Sequence, residues 1–355
     1  MKSMRFTLIA FTLLLLAQSC KKSDNASNPS NPQPIVIAPP PAFGYYVVGY
    51  FPSYRNLADV PDVKFRMCNV INYAFFSVNA NSELTIPSAT VTASAVITKA
   101  RANGAKVFLS INDGSGDGKT YFKNMAGAAA TSRTHFIADV MNKIRQYGFD
   151  GVDIDWEYPS TSDGTDVSFT SLMKELSDSL HRDRKYYLTA ALTPGKYAGS
   201  IRDAIKTEVF GYADFFNIMA YDDFSTTVPY KQHSDYNLAV TCLNYWLNTR
   251  GMPKDKCVLG FPAYGRPSGI SQSGTILTYR DILSRGGSSQ SDSAVVTSGG
   301  FTNYTIYYNG QPTVKKKAIL AKQIANGVMM WEKWEDAMDG NSLLKAACDT
   351  VGRVY

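Results

Sequence analysis

The sequence predicts an α/β protein built as a (β/α)8 barrel, and two observations carry that prediction. Eight short runs of β-branched and aromatic residues recur along the chain, and amphipathic helical patterns lie between them. The runs are residues 45–51 (YYVVGYF), 70–76 (VINYAFF), 106–111 (KVFLSI), 151–156 (GVDIDW), 187–192 (YLTAAL), 215–219 (FFNIM), 257–261 (CVLGF) and 327–331 (GVMMW). Near-continuous apolar runs mark strands buried on both faces. Strand alternating with helix points to parallel order, and eight units without a ninth favour closure into a barrel over an open sheet.

The helical segments follow the 3.6-residue period. After Ser132, a suitable N-cap, apolar side chains fall at Phe136, Ile137, Val140, Met141, Ile144 and Tyr147, and Gly148 stops the helix. A second helix carries Phe169, Leu172, Met173, Leu176 and Leu180. The longest connection, about residues 263–323, separates the seventh and eighth strands. Its Gly/Ser-rich middle is followed by FTNYTIYY, which predicts a β-hairpin excursion near the barrel mouth. The insertion at this point is therefore expected to be short or absent.

The first 42 residues are set apart from the barrel. Lys2 and Arg5 precede an apolar run over residues 6–17, too short to span ~30 Å of hydrocarbon but suited to a signal-peptide core. Gln18-Ser19-Cys20 resembles a bacterial lipoprotein cleavage site, with Cys20 as the acylated residue. Residues 1–19 read as signal peptide, 20–42 as a Pro/Ser/Asn-rich tether and 43–355 as the barrel. The expected location is the bacterial cell envelope, lipid-anchored; Lys21 is compatible with the outer membrane, and plain secretion is the alternative. Of 36 basic and 30 acidic residues, the leader takes Lys2 and Arg5, which lowers the net charge from +6 to +4. So small and scattered a charge argues against a nucleic-acid partner. Aromatic residues make up 12% of the chain, which suits a surface that stacks on rings. Cys68, Cys242, Cys257 and Cys348 lack CxxC spacing. Buried free thiols are the default for them, with a Cys242–Cys257 pair left open.

The chemistry concentrates in Phe149-Asp150-Gly151-Val152-Asp153-Ile154-Asp155-Trp156-Glu157-Tyr158-Pro159. Alternation along a strand puts Asp153, Asp155 and Glu157 on one face and Val152, Ile154 and Trp156 on the other. In a barrel the acids would point inward and climb toward the carboxyl end, where barrel active sites sit. Like charges at close range, together with burial, raise at least one carboxyl pKa, so one acid stays protonated near neutral pH and can donate. A calcium loop, a solvated edge strand and a barrel that binds without catalysis are the competing readings. The first would interleave Gly and polar residues rather than Val, Ile and Trp.

This run resembles the D-x-x-D-x-D-x-E signature of glycoside hydrolase family 18, the chitinase-like barrels, with Asp150, Asp153, Asp155 and Glu157 filling it. Further matches are Gly49-Tyr50-Phe51, Ile71-Asn72-Tyr73-Ala74-Phe75, Met219-Ala220-Tyr221-Asp222, Gly260-Phe261-Pro262-Ala263-Tyr264-Gly265-Arg266 and Gly327-Val328-Met329-Met330-Trp331. One departure is Ser110-Ile111-Asn112-Asp113-Gly114, where the family carries S-x-G-G. A reduced insertion before the last strand implies an open cleft and attack within a chain.

The resemblance implies substrate-assisted hydrolysis with retention, outside the usual two-carboxylate scheme. Glu157 would be the general acid, and Asp155 would stabilise the acetamido nitrogen of the substrate. Asp153 would exchange a proton with Asp155, and Tyr221 would hold the acetamido carbonyl. Substrate contacts would come from Tyr50, Phe75, Met219, Asp222, Tyr264, Arg266 and Trp331, with Trp331 as the floor under the sugar. The expected function is an endo-acting chitinase cleaving β-1,4 bonds between N-acetylglucosamine units. The alternatives are an endo-β-N-acetylglucosaminidase on the chitobiose core of N-glycans and a non-catalytic glycan-binding lipoprotein. The three His residues, His135, His181 and His233, are dispersed, and no HExxH, GxSxG or Walker A pattern occurs. No metal or cofactor is expected, and the chain is expected to act as a monomer.

Overall fold

Strands whose two faces are both apolar have nowhere to go but between a core and a layer of helices. In the computed structural model, which describes residues 36–355 except 128, 129, 183 and 273, eight such strands close a parallel barrel. They are β1 (Tyr46–Pro52), β2 (Val70–Val78), β3 (Lys106–Asn112), β4 (Gly151–Asp155), β5 (Tyr187–Leu192), β6 (Phe215–Ile218), β7 (Cys257–Pro262) and β8 (Gly327–Trp331). Each pairs in parallel with its sequence neighbour, and β1 pairs with both β2 and β8, which completes the ring.

Alternation sorts the side chains into two cores. Val47, Phe51, Ile71, Leu109, Val152, Ile154 and Leu259 face outward onto the helices, such as Ala130–Tyr147 and Thr165–Leu180. Tyr46, Val48, Val70, Phe108, Tyr187, Phe215, Val258 and Met329 fill the interior toward the amino end. There Phe108 and Tyr187 stack with centroids 5.5 Å apart. Gly151 faces this stack because a Cβ would lie 2.6 Å from Tyr187 O and 3.0 Å from a Phe108 ring carbon. Above the apolar base the interior turns polar, and the functional residues begin.

The connection between β7 and β8 is smaller than an independent domain, but it is not bare. Strands Tyr264–Pro267, Leu277–Thr278, Ser293–Ser298 and Phe301–Tyr307 form an antiparallel sheet with one short helix, Tyr279–Ser284. The expected hairpin is Ser293–Ser298 with Phe301–Tyr307, turned by Gly299 and Gly300 at φ 57° and 82°. The other two strands are two and four residues long, too short to leave a periodic signal.

The leader, Cys20 and the tether as far as residue 35 lie outside the described residues. Residues 36–42, expected as free tether, instead lie against the amino end of the barrel. Ala38 N–H donates to His181 O at 3.1 Å, and Tyr187 Oη donates to Pro41 O at 2.9 Å. Phe43 then packs edge-on against Tyr46 and Tyr187, so the apolar base is capped by the residues that enter it. Cys68, Cys242, Cys257 and Cys348 are all buried and free, so the open Cys242–Cys257 pairing is not made.

Gly260 ties the scaffold to the site. A Cβ there would meet Ile218 O at 2.4 Å, Met329 Cε at 2.8 Å and Tyr221 Cε1 at 3.1 Å. Gly260→Ala should cost about 1–3 kcal/mol by overpacking against backbone, read as a lowered midpoint in thermal or urea unfolding. Gly211→Ala, in a helix with open space around it, should leave stability unchanged or raise it by about 0.5 kcal/mol.

Candidate active site

The polar layer of the interior is organised around Asp153. Parallel register sets it beside Ser110 on β3 and Thr189 on β5. Its Oδ2 accepts from Tyr50 Oη at 2.7 Å and Ser110 Oγ at 2.8 Å. Its Oδ1 accepts from Thr189 Oγ1 at 2.6 Å and Asn217 Nδ2 at 3.4 Å. Burial raises the pKa of this fully buried carboxyl, and these four donors oppose the rise.

One step higher, Asp155 is buried and lines the cleft, and its Oδ1 has no hydrogen-bond partner. Its pKa stands well above the usual carboxylate value, first through burial, then through Glu157, Asp153 and Asp113, with Lys119 opposing. Glu157 follows the strand at the mouth and opens onto the cleft on one side. The surrounding walls still desolvate its carboxyl and raise its pKa; Asp113 and Asp222 add to this, while the Tyr158 hydrogen bond and Lys119 oppose it. The three carboxyl groups of the column therefore hold their protons more tightly than free carboxylates do, Asp155 by a wide margin. Asp150, the first acid of the motif, is structural: its Oδ2 accepts from Val107 N–H at 2.9 Å and its Oδ1 faces Arg101 Nη2 at 3.1 Å.

The cleft above these acids has a volume of about 550 Å³. Phe75 and Trp331, both in its lining, stack on one another, 5.4 Å apart and 19° from parallel. Tyr221, Met219, Asp222 and Tyr264 form the facing wall. Tyr221 is buried beside Asp155 and Glu157, whose charges add to burial in keeping its hydroxyl protonated. Asp222 adopts the left-handed region at φ 64°, rare for a residue with a Cβ. It is held there by Tyr264 Oη and Arg266 Nε, each 2.5 Å from its Oδ1, with His233 Nδ1 at 3.5 Å.

Two expected contacts need correction. Tyr50 does not line the cleft. It is 1% exposed, beneath Trp331, and its hydroxyl is committed to Asp153. An inward position on β1 fixes the side of the barrel it faces but not its height, and Tyr50 falls one layer too low. Arg266 also stands behind the wall, directed at Asp222 and Gln272 rather than into the cleft. Phe75, Met219, Asp222, Tyr264 and Trp331 do meet at the cleft.

Ser110 and Asp113 lie in the segment that departs from S-x-G-G; the other site residues carry no linear motif. Ser110, Thr189 and Asn217 could have been found as polar residues at inward positions of otherwise apolar strands. Asp113 is 5% exposed and pairs with Lys119 at 2.9 Å. On the far wall, Asp223 takes Lys196, Lys231 and Tyr197 at 2.5, 2.5 and 2.6 Å. These residues come together only when the loops fold, and no spacing in the chain announces them.

The Asp222 carboxyl is driven below its usual pKa: burial works to raise it, and Arg266, His233 and Tyr264 outweigh burial. A depressed folded-state pKa contributes stability that is present above the unfolded value of about 3.9 and lost as pH falls through the folded value. Asp222→Asn should therefore cost about 1–2 kcal/mol at pH 7, allowing for its partial exposure. The difference from wild type should shrink as pH falls below about 4, measured by urea unfolding across that range.

Comparison with known proteins agrees with this fold. The profile of the glycosyl hydrolases family 18 matches residues 46–336. The "Probable endochitinase" of Caenorhabditis elegans is 34% identical over 171 residues, 42% of this chain and 27% of that protein. The chain spans only part of such relatives, from 12% of one Drosophila melanogaster protein to 63% of one from Homo sapiens. The solved family 18 chitinase ChiB from the chitin utilization locus of Flavobacterium johnsoniae is 26% identical, with a TM-score of 0.72 over 87% of this chain and 94% of that one. A chitinase structure from Bacteroides thetaiotaomicron shares the fold, at 23% identity and a TM-score of 0.73 over 88% and 99%. With its family profile, its closed barrel and its column of acids in agreement, the chain belongs to family 18 of the glycosyl hydrolases, as a chitinase-like member.

Proposed function

We propose that the protein is an endo-acting chitinase that cleaves β-1,4 bonds between N-acetylglucosamine units with retention, using the substrate's own acetamido group as nucleophile. The observation that carries this reading is the commitment of Asp153, Asp222 and Asp113 around Glu157, with Asp155 Oδ1 left unpartnered in the cleft. Both oxygens of Asp153 are filled by four hydrogen bonds. Asp222 is held by Arg266 and Tyr264, and Asp113 by Lys119. Asp155 is buried with its proton affinity raised by burial and by Glu157, Asp153 and Asp113, which suits it to trade a proton as charge develops beside it. The local pairing of Asp153, Asp222 and Asp113 supports a nucleophile brought by the substrate, with Asp155 beside it.

Each remaining group has a task in that reaction. Glu157 protonates the glycosidic oxygen and later takes a proton from water. Asp155, through its unpartnered Oδ1, accepts from the acetamido N–H and stabilises the oxazolinium ion. Asp153 adjusts to the proton on Asp155 through its four donors. Tyr221 donates to the acetamido carbonyl and holds it for attack. Trp331, stacked on Phe75, offers an apolar floor to the sugar ring. The leader and Cys20 support a lipid-anchored site of action in the cell envelope. That placement would be read from fractionated cells and the mass of the mature amino terminus.

Glu157→Gln should reduce kcat by about 10²-fold or more while oligosaccharide binding persists in calorimetry; full activity would overturn the mechanism. A thiazoline analogue of the oxazolinium ion should inhibit strongly, and indifference to it would exclude acetamido participation. Chitin oligomers and a high-mannose glycoprotein, digested side by side with products read by mass, should show cleavage of the oligomers. Cleavage of the glycoprotein alone would replace the substrate.

A further inference from the structure

The general acid is gripped by its backbone as well as by its surroundings. Asp113 lies just past β3, in the loop that departs from the family's S-x-G-G. Its carboxylate is 5% exposed, and its charge raises the proton affinity of Glu157. The loop turns through Gly114 and Gly116, at φ 69° and 55°, into the helix Asp117–Gly127. That turn brings Lys119, in the first turn of the helix, back over the loop. Lys119 Nζ donates to Asp113 Oδ2 at 2.9 Å and to Glu157 O at 2.9 Å. Lys119 thus ties the Asp113 carboxylate to the main-chain acceptor of Glu157.

We propose that Asp113 and Lys119 are positioning residues for the general acid: Lys119, anchored on the Asp113 carboxylate, holds the main-chain carbonyl of Glu157, and the pair brings opposite charges to that residue. This rests on the reading of Glu157 as general acid. Restraint at the main chain holds the carboxyl where a glycosidic oxygen must sit, and tolerances there are fractions of an ångström. The charges act in opposite senses. The carboxylate of Asp113 favours the protonated form of Glu157, and the ammonium of Lys119 favours the ionised form. The other groups facing Glu157 are Asp155, Tyr158, Tyr221 and Asp222, and all of them remain in place when the pair is altered. Lys119 is half exposed, so its influence is partly screened by water and salt.

The test compares Asp113→Asn, Lys119→Met, Lys119→Arg and the double variant Asp113→Asn/Lys119→Met with wild type. A general acid works below its pKa, so activity falls as pH rises through that value. Asp113→Asn should move the alkaline limb of kcat/KM to lower pH, and Lys119→Met should move it to higher pH, each by roughly 0.3–1 pH unit. The double variant should return toward wild type, and Lys119→Arg should keep the wild-type limb. Carbon-13 NMR titration of the Glu157 side-chain carboxyl, assigned with Glu157→Gln, should show the same opposed displacements without turnover. Limbs and titrations that stay fixed while rates fall evenly at all pH, or that move in one direction, would overturn the proposal. Failure of the general-acid reading is separately visible, as activity retained in Glu157→Gln.

Discussion

Asp153 sits where water does not reach, and the barrel is arranged to make that tolerable. A carboxyl taken out of water must be given donors or be neutralised. Here β1, β3, β5 and β6 each supply one donor, from Tyr50, Ser110, Thr189 and Asn217. Those four bonds require the strands in register, because a slip of one residue would turn every donor toward the helices. The apolar base below them keeps water from the amino end, and the cleft above opens to solvent. The interior therefore grades from oil to polar to wet along one axis, and the acids are set along that gradient.

The gradient gives each acid a different character. Asp153 is buried and satisfied, Asp155 is buried with a free oxygen, and Glu157 is partly open with its pKa raised. This grading is what the proposed roles of proton relay, charge stabiliser and acid draw on. Charges outside the column are mostly cancelled locally, as with Asp222 by Arg266, Asp223 by Lys196 and Lys231, and Asp113 by Lys119. Local cancellation suits a neutral polysaccharide, and it accounts for how little the net charge of the chain reveals.

Much of this was legible because strands have a period of two. Eight apolar runs foretold the barrel, and the alternation in Gly151–Asp155 foretold an inward column with Val152 and Ile154 on the helices. Period alone gives direction but not depth, which is why Tyr50 was expected in the cleft and lies below it. It is also silent about loops: Asp113 meets Lys119 only because two glycines turn the chain back on itself. Asp222 meets Arg266, 44 residues away in sequence, only because the chain has run on through β7. Residues 36–42 read as tether from their prolines, yet the exposed end of an aromatic barrel gave them something to pack against. The short strands between β7 and β8 draw their order from pairing rather than from local propensity.

The central claim is that no protein carboxylate attacks the sugar and that the acetamido group does so from within the substrate. Two displacements at the anomeric carbon then preserve its configuration. The most direct measurement is kcat/KM on aryl chitobiosides whose acetamido group, on the sugar bonded to the aryl group, carries no, one, two or three fluorines. The account predicts a steep fall with each fluorine, because the amide oxygen loses nucleophilicity; a rate indifferent to fluorine would contradict it.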